Sequence, residues 1–271
     1  MKYTVEGEEI DIIDDTDWDL CILIDSCRYD VFEQVYRNFF KSKPRVKKAC
    51  SHCAKTKEFM QNHLNRPYVD MIYVNHTFNI GYWIPDTKFF KLVDVWETHW
   101  DREKWGTIMP WDMTDVSLKY IKKYPEKRLM VHYVQAHTPY LLKGYEEFNK
   151  IEYTPERCLD GIKKGKKDSR RWNMFYQGVM RRYLGYERTW RWLLFMGIEP
   201  SDYFGRVYKK FGMKGLIDGY RDNMKIVLKE AKRLIDNSGR KKILISADHS
   251  QTYTGDRKNM RQELIPWLER K

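Results

Sequence analysis

The clearest pattern along the chain is a set of short, near-continuous apolar runs, each ending in polar residues: 19–25 (DLCILID), 128–135 (RLMVHYVQ) and 241–250 (KKILISADHS). Such runs predict strands buried on both faces, as in a parallel sheet covered by helices. Segments 68–75 (YVDMIYVN) and 91–97 (KLVDVWE) predict two more strands, and 45–49 a shorter one. The segments between them change to helical spacing. Tyr29, Val31, Phe32, Val35, Tyr36 and Phe39 predict a helix after the first strand, and 57–64 a second. A third runs over 110–123, where Pro110 suits a first helical turn. Met224, Val227, Leu228, Ala231, Leu234 and Ile235 form one apolar stripe of a helix over 220–238, with Gly239 as its C′ residue.

Strands alternating with helices predict an α/β fold, a three-layer sandwich with a mostly parallel central sheet. Ligands of such sheets bind at the carboxyl ends of the strands. Three strands here end in reactive side chains: Asp25 on the first, His137 just beyond the 128–135 strand, and the Asp248–His249 pair on the last. Residues 141–218 are aromatic, basic and only partly helical in pattern. They predict a helical insertion capping the core of one domain that spans 1–271.

Composition narrows the picture. At 271 residues, 42% hydrophobic and 15% aromatic, the chain can bury a substantial single core. No apolar stretch approaches the length of a membrane span. The acidic N-terminus has no apolar secretory segment, and five sparse cysteines (21, 27, 50, 53 and 158) suit reduced thiols, so a cytoplasmic location is expected. The net charge of +12 concentrates in 163–182 and 240–242. It is read either as a solvated basic face or as attraction to an anionic partner: a phosphorylated or sulfated glycan, a lipid headgroup or a nucleic acid. Composition does not separate these partners, and no feature sets the oligomeric state.

Asp248 and His249 would be costly to bury unless paired or bound to a cation. Together with Asp25 they form a ligand set suited to Zn²⁺ or Mn²⁺, with Ca²⁺ or Mg²⁺ less natural. Each signal alone is also met by a surface pair or, for Asp25, by a helix N-cap.

In order along the chain stand IDSCRYDVF (24–32), TKEF (56–59), VWETHW (95–100), HYVQAHTPY (132–140), SADHSQ (246–251) and IPWL (265–268). This series resembles the alkaline phosphatase/sulfatase superfamily, in particular a sulfatase-like branch with LDxCRYDxF, TxEW, HYxQPHxPY and TxDHGE motifs. The resemblance implies a metal held by Asp25, Thr56, Asp248 and His249, with Thr56 as the nucleophile at a helix start. It also implies His137 as a contact to the substrate or to a second metal. Arg28 reads either as a salt bridge within the fold or as a substrate contact, and Lys55, Lys57 or Arg257 could add charge at the site.

The departures are specific. DHGE becomes Asp248-His249-Ser250-Gln251, QPH becomes QAH, and no histidine follows Gln251. These changes argue for one metal rather than two. Cys53 opens CAKTK, which lacks the arginine that accompanies formylglycine formation, so Ser51 and Cys53 rank behind Thr56 as nucleophiles. Cys50 and Cys53 around His52 have no second Cys/His pair with which to form a zinc knuckle. His132, inside an apolar strand, reads as a satisfied core histidine. The expected activity is metal-dependent transfer or hydrolysis of a phosphate or sulfate ester through Thr56. The alternative is a degenerate scaffold that binds an anionic glycan or nucleic acid without turnover.

Overall fold

The apolar runs become the middle of a nine-stranded sheet in the computed structural model, which describes residues 2–40, 45–149, 154–156, 159, 185, 187–200, 202–250 and 264–270. Strands β1 (Tyr3–Val5), β2 (Glu8–Ile10), β3 (Leu20–Ile24), β4 (Lys47–Cys50), β5 (Tyr68–Asn75), β6 (Phe89–Asp94), β7 (Arg128–Tyr133), β8 (Ile243–Ser246) and β9 (Leu264–Arg270) are ordered β2-β1-β4-β9-β8-β3-β7-β5-β6. The run β8-β3-β7-β5-β6 is parallel. Every residue of β3 and β8 is buried. That is the burial expected of strands covered on both faces.

The remaining strands form an antiparallel flank, which qualifies the expectation of a mostly parallel sheet. Strands β1 and β2 are three residues each and turn at Glu6 and Gly7, both with positive φ. Alternation over three residues is too short to predict a strand.

Helices α1 (Tyr29–Val35), α5 (Pro110–Lys123) and α6 (Tyr203–Ser238) pack together on one face. Helix α2 (Thr56–His63), with the short α3 (Ile80–Trp83), covers the other. Neighbouring residues of β7 display the two layers. Tyr133 hydrogen-bonds Thr114 of α5 at 2.7 Å, whereas the His132 ring meets Phe59 of α2 edge-on. The segment expected to be strand through residue 97 leaves the sheet after Asp94 and turns into α4 (Trp96–His99). No described helix is long and apolar enough to cross a membrane.

Helix α6 starts well before residue 220, capped by the Asp202 carboxylate, which accepts from Gly205 N at 2.6 Å. It is interrupted at Gly212 (φ 65°). Among the glycines that obscure this first half in the sequence, Gly219 has a packing role. A Cβ on Gly219 would lie 2.3 Å from the Tyr140 ring. Most of 150–186 lies outside the described residues, including Cys158 and the basic stretch 163–182, so the expected insertion is described only at its two ends.

Two predictions follow from this packing. Gly219→Ala gains helix propensity of up to about 1 kcal/mol but forces Tyr140 to move, at a cost of about 1–3 kcal/mol. The expected net result is a melting temperature lower by a few degrees. The second concerns His63, which is 4% exposed between Tyr3 and Phe59, with ring centroids 4.8 and 5.1 Å away. Burial lowers its pKa to about 4. The unfolded chain then binds the proton first, so stability is lost as pH falls from about 6.5 towards 4, by about 2 kcal/mol at pH 5. Urea unfolding at pH 7.5 and 5 should show this loss, and His63→Leu should reduce it.

Candidate metal centre and active site

The parallel register Ile22↔Val131 and Ile22↔Ile245 brings the ends of β3, β7 and β8 to one level. Asp25 follows β3, Asp248 and His249 follow β8, and Thr56 is the first residue of α2. Beyond Asp25 the chain turns sharply at Ser26, a non-glycine residue with φ 57°. Tyr220 of α6 clamps this turn, donating to Ser26 O at 2.7 Å and accepting from Arg28 N at 2.8 Å.

Asp248 is wholly buried, and its two oxygens have different surroundings. Oδ1 accepts from the backbone N–H of Ser26 (3.1 Å) and of His249 (2.8 Å). Oδ2 has no hydrogen-bond partner. Its neighbours at 3.6 Å are His249 Nε2 and His132 Nε2. The His249 ring is oriented by Nδ1, which lies 3.0 Å from Ser250 O. A carbonyl only accepts, so Nδ1 donates to it and Nε2 is the ring nitrogen left to bind a metal. That nitrogen lies 3.5 Å from Asp25 Oδ1 and 3.6 Å from Asp248 Oδ2. Thr56 Oγ1 is 3.5 Å from the same nitrogen.

Three possible ligand atoms thus converge, one from each of Asp25, Asp248 and His249, within 4.8 Å of one another. A cation resolves that arrangement. The set of two carboxylates, an imidazole and a hydroxyl fits a divalent metal such as Zn²⁺ or Mn²⁺. The titration behaviour agrees. Burial, and then the Asp248 charge, raise the Asp25 carboxyl above its usual range. Burial opposes ionisation of Asp248 as well, but His249 and His132 hold it well below that range. A divalent ion between them would favour the ionised form of both carboxylates.

Around this centre lies a cavity of about 520 Å³, lined by Asp25, Thr56, His76 and His137 and walled by Trp83, Trp100, Trp105, Phe148 and Tyr203. The Nδ1 of His137 donates to Thr138 O at 2.9 Å, leaving Nε2 as the acceptor, and its carbonyl accepts from Asn223 of α6. The Arg28 guanidinium donates to both Asp30 oxygens, at 2.9 and 2.6 Å. Lys55 is exposed at the residue before α2. Neither Arg28 nor Lys55 lines the cavity. Ser51 and Cys53 are buried and bonded to one another within the turn before α2. Gln251 and Arg257 lie outside the described residues.

No sequence motif marked His76, and His132 was expected only as a satisfied core histidine. His76 immediately follows β5, has a buried Nε2 without a hydrogen-bond partner, and lies 3.8 Å from Asp25 Oδ2. The strand-end rule that selected Asp25 would have selected it too. His132 is fully buried as expected, yet only Nδ1 is satisfied, by Tyr73.

No family model matches the chain, and no curated protein matches it. Similar solved structures include a protein in the alkaline phosphatase superfamily from Vibrio parahaemolyticus, at 10% identity and a TM-score of 0.44 over 94% of this chain and 60% of that one. Another is the lipoteichoic acid synthase LtaP from Listeria monocytogenes, at 10% identity and a TM-score of 0.41 over 93% and 64%. A third is the C-terminal periplasmic domain of EcEptC from Escherichia coli in complex with Zn, at 10% identity and a TM-score of 0.41 over 99% and 75%. The chain therefore spans less than two thirds of the first two.

Metal addition tests the centre directly. Zn²⁺ or Mn²⁺ at a hundredfold excess over Kd should stabilise the metal-free protein by about 2.7 kcal/mol. Thermal unfolding with and without metal should show the shift in wild type and lose it in Asp248→Asn.

Proposed function

We propose that the protein is a metal-dependent hydrolase or transferase of phosphate or sulfate esters, of the alkaline phosphatase/sulfatase type, with Thr56 as nucleophile. The observation that carries this reading is the convergence of Thr56, Asp25, Asp248 and His249 from separate segments around an unpartnered buried carboxylate oxygen. The ordered motifs from IDSCRYD to SADHS support it.

The Thr56 oxygen attacks phosphorus or sulfur, forming a new Oγ1–P or Oγ1–S bond as the bond to the leaving alcohol breaks. Water or an acceptor hydroxyl then attacks the threonine ester and frees the enzyme. Asp25, Asp248 and His249 would hold a divalent cation, whose positive charge would favour the threonine alkoxide and offset charge on the transferred group. Helix α2 has no side-chain cap at its N-terminus. Its leading N–H groups and positive dipole end are therefore available to that group. Once protonated on Nε2, His137 binds a non-bridging oxygen or returns the proton to the leaving alkoxide.

The cavity walls bear on the leaving alcohol. Among the described residues Arg206 is the one Lys or Arg that lines it, beside the tryptophans and Tyr203. A polyanion such as nucleic acid needs many cationic contacts, so the lining favours a single ester on a sugar or a lipid headgroup.

Aryl phosphate, phosphodiester and sulfate esters, each with added Zn²⁺, Mn²⁺, Mg²⁺ or Ca²⁺, test the reading. Metal-dependent turnover of one class should fall at least about 10³-fold in Thr56→Ala, the order of effect for losing a nucleophile. Full turnover in a folded Thr56→Ala would remove Thr56 from the mechanism. Metal binding without any turnover would favour a binding protein.

A further inference from the structure

Strands β5 and β7 are parallel neighbours with Tyr73 opposite Met130. Side chains alternate along a strand, so Tyr73 and His132, two positions beyond Met130, project from the same face. Tyr73 Oη is 2.9 Å from His132 Nδ1, and both residues are fully buried. On the far side of the ring, His132 Nε2 lies 3.6 Å from Asp248 Oδ2, and neither atom has a hydrogen-bond partner. The ring is held edge-on by His76, centroids 4.6 Å apart at 88°, and by Phe59 at 6.0 Å.

This geometry selects one tautomer. If Nδ1 carried the proton, Nε2 would direct its lone pair at a buried carboxylate, two acceptors facing in a site that water does not reach. With the Tyr73 hydroxyl donating to Nδ1, the proton resides on Nε2 and faces Asp248. The other Asp248 oxygen is already committed to two backbone amides, so the His132 N–H acts on the oxygen left for a metal. Resting on the reading of the centre given above, we propose that Tyr73 and His132 form a buried positioning pair. It fixes the orientation of the Asp248 carboxylate as a metal ligand without touching metal or substrate. Partners of this kind around a ligand are typically worth 10–100-fold in metal affinity.

The test uses the full chain, metal-free, titrated with Zn²⁺ for affinity and with Co²⁺ for its visible absorption. His132→Phe keeps the volume and removes both bonds. Tyr73→Phe keeps the packing and removes only the tautomer lock. His132→Gln returns an N–H near the Nε2 position. Expected are a 10–100-fold weaker affinity in His132→Phe, a smaller loss in Tyr73→Phe and substantial recovery in His132→Gln. The Co²⁺ band should keep its wild-type position, and metal-free melting temperatures report folding. Tyr73→Phe carries the test if His132→Phe does not fold. Affinity within twofold of wild type in both phenylalanine variants overturns the proposal. So does a displaced Co²⁺ band in His132→Phe, which would make His132 a direct ligand. A wild type that binds neither metal overturns the centre and this role with it, whereas tight wild-type binding with insensitive variants overturns this role alone.

Discussion

Two carboxylates share a buried volume beside an imidazole nitrogen at the ends of β3 and β8, and the arrangement around them follows from that conflict. Within 4.8 Å, two ionised carboxylates repel by roughly 3–4 kcal/mol at an effective dielectric constant near 20. Asp25 and Asp248 answer it by opposite shifts, one rising and one falling. The Asp248 charge is then concentrated against two backbone amides and two histidines. A cation would turn the same repulsion into binding energy, because each ligand atom is already placed.

Holding such a cluster in place requires support from outside it, and helix α6 supplies much of this. Tyr220 grips the turn at Ser26 from both sides. One turn further on, Asn223 donates to the carbonyls of His137 and Pro139 and accepts from Leu141 N. Gly219, on the same part of the helix, admits the Tyr140 ring. One helical segment therefore sets both the loop after β3 and the loop after β7. The helix turns a buried face, with Gly215, Gly219, Tyr220 and Asn223, towards those loops. Its conformation gives up helix propensity in return for close approach to those loops.

The parallel half of the sheet was legible because burial on both faces leaves a mark that local sequence shows, and Leu20–Ile24 and Ile243–Ser246 carry it. In the antiparallel flank β4 was expected as a short strand over 45–49, whereas three-residue strands such as Tyr3–Val5 leave no periodicity to count. Half of α6 was hidden by Gly205, Gly212, Gly215 and Gly219, of which Gly219 answers to the distant Tyr140 ring and Gly212 to a break with positive φ. In the site, Asp25, Thr56, Asp248 and His249 were found by strand-end position and motif order, and they do converge. His76, one residue past its strand as Asp25 is, escaped because no motif marked it. The two-sided environment of His132 is a property of three strands at once, so no reading of β7 alone could supply it.

The departure from DHGE to Asp248-His249-Ser250-Gln251 bears on whether the centre keeps the geometry its ligands need. Ser250 contributes through its backbone. It is the carbonyl of residue 250 that accepts the His249 Nδ1 proton and directs Nε2 at the carboxylates. A glycine at that position would offer the same carbonyl. The Asp248 carboxylate is likewise oriented by the N–H groups of Ser26 and His249, which are indifferent to side chains downstream. The loss of the motif glycine therefore leaves untouched the two contacts that aim the ligand atoms, and the metal-binding part of the arrangement does not depend on it.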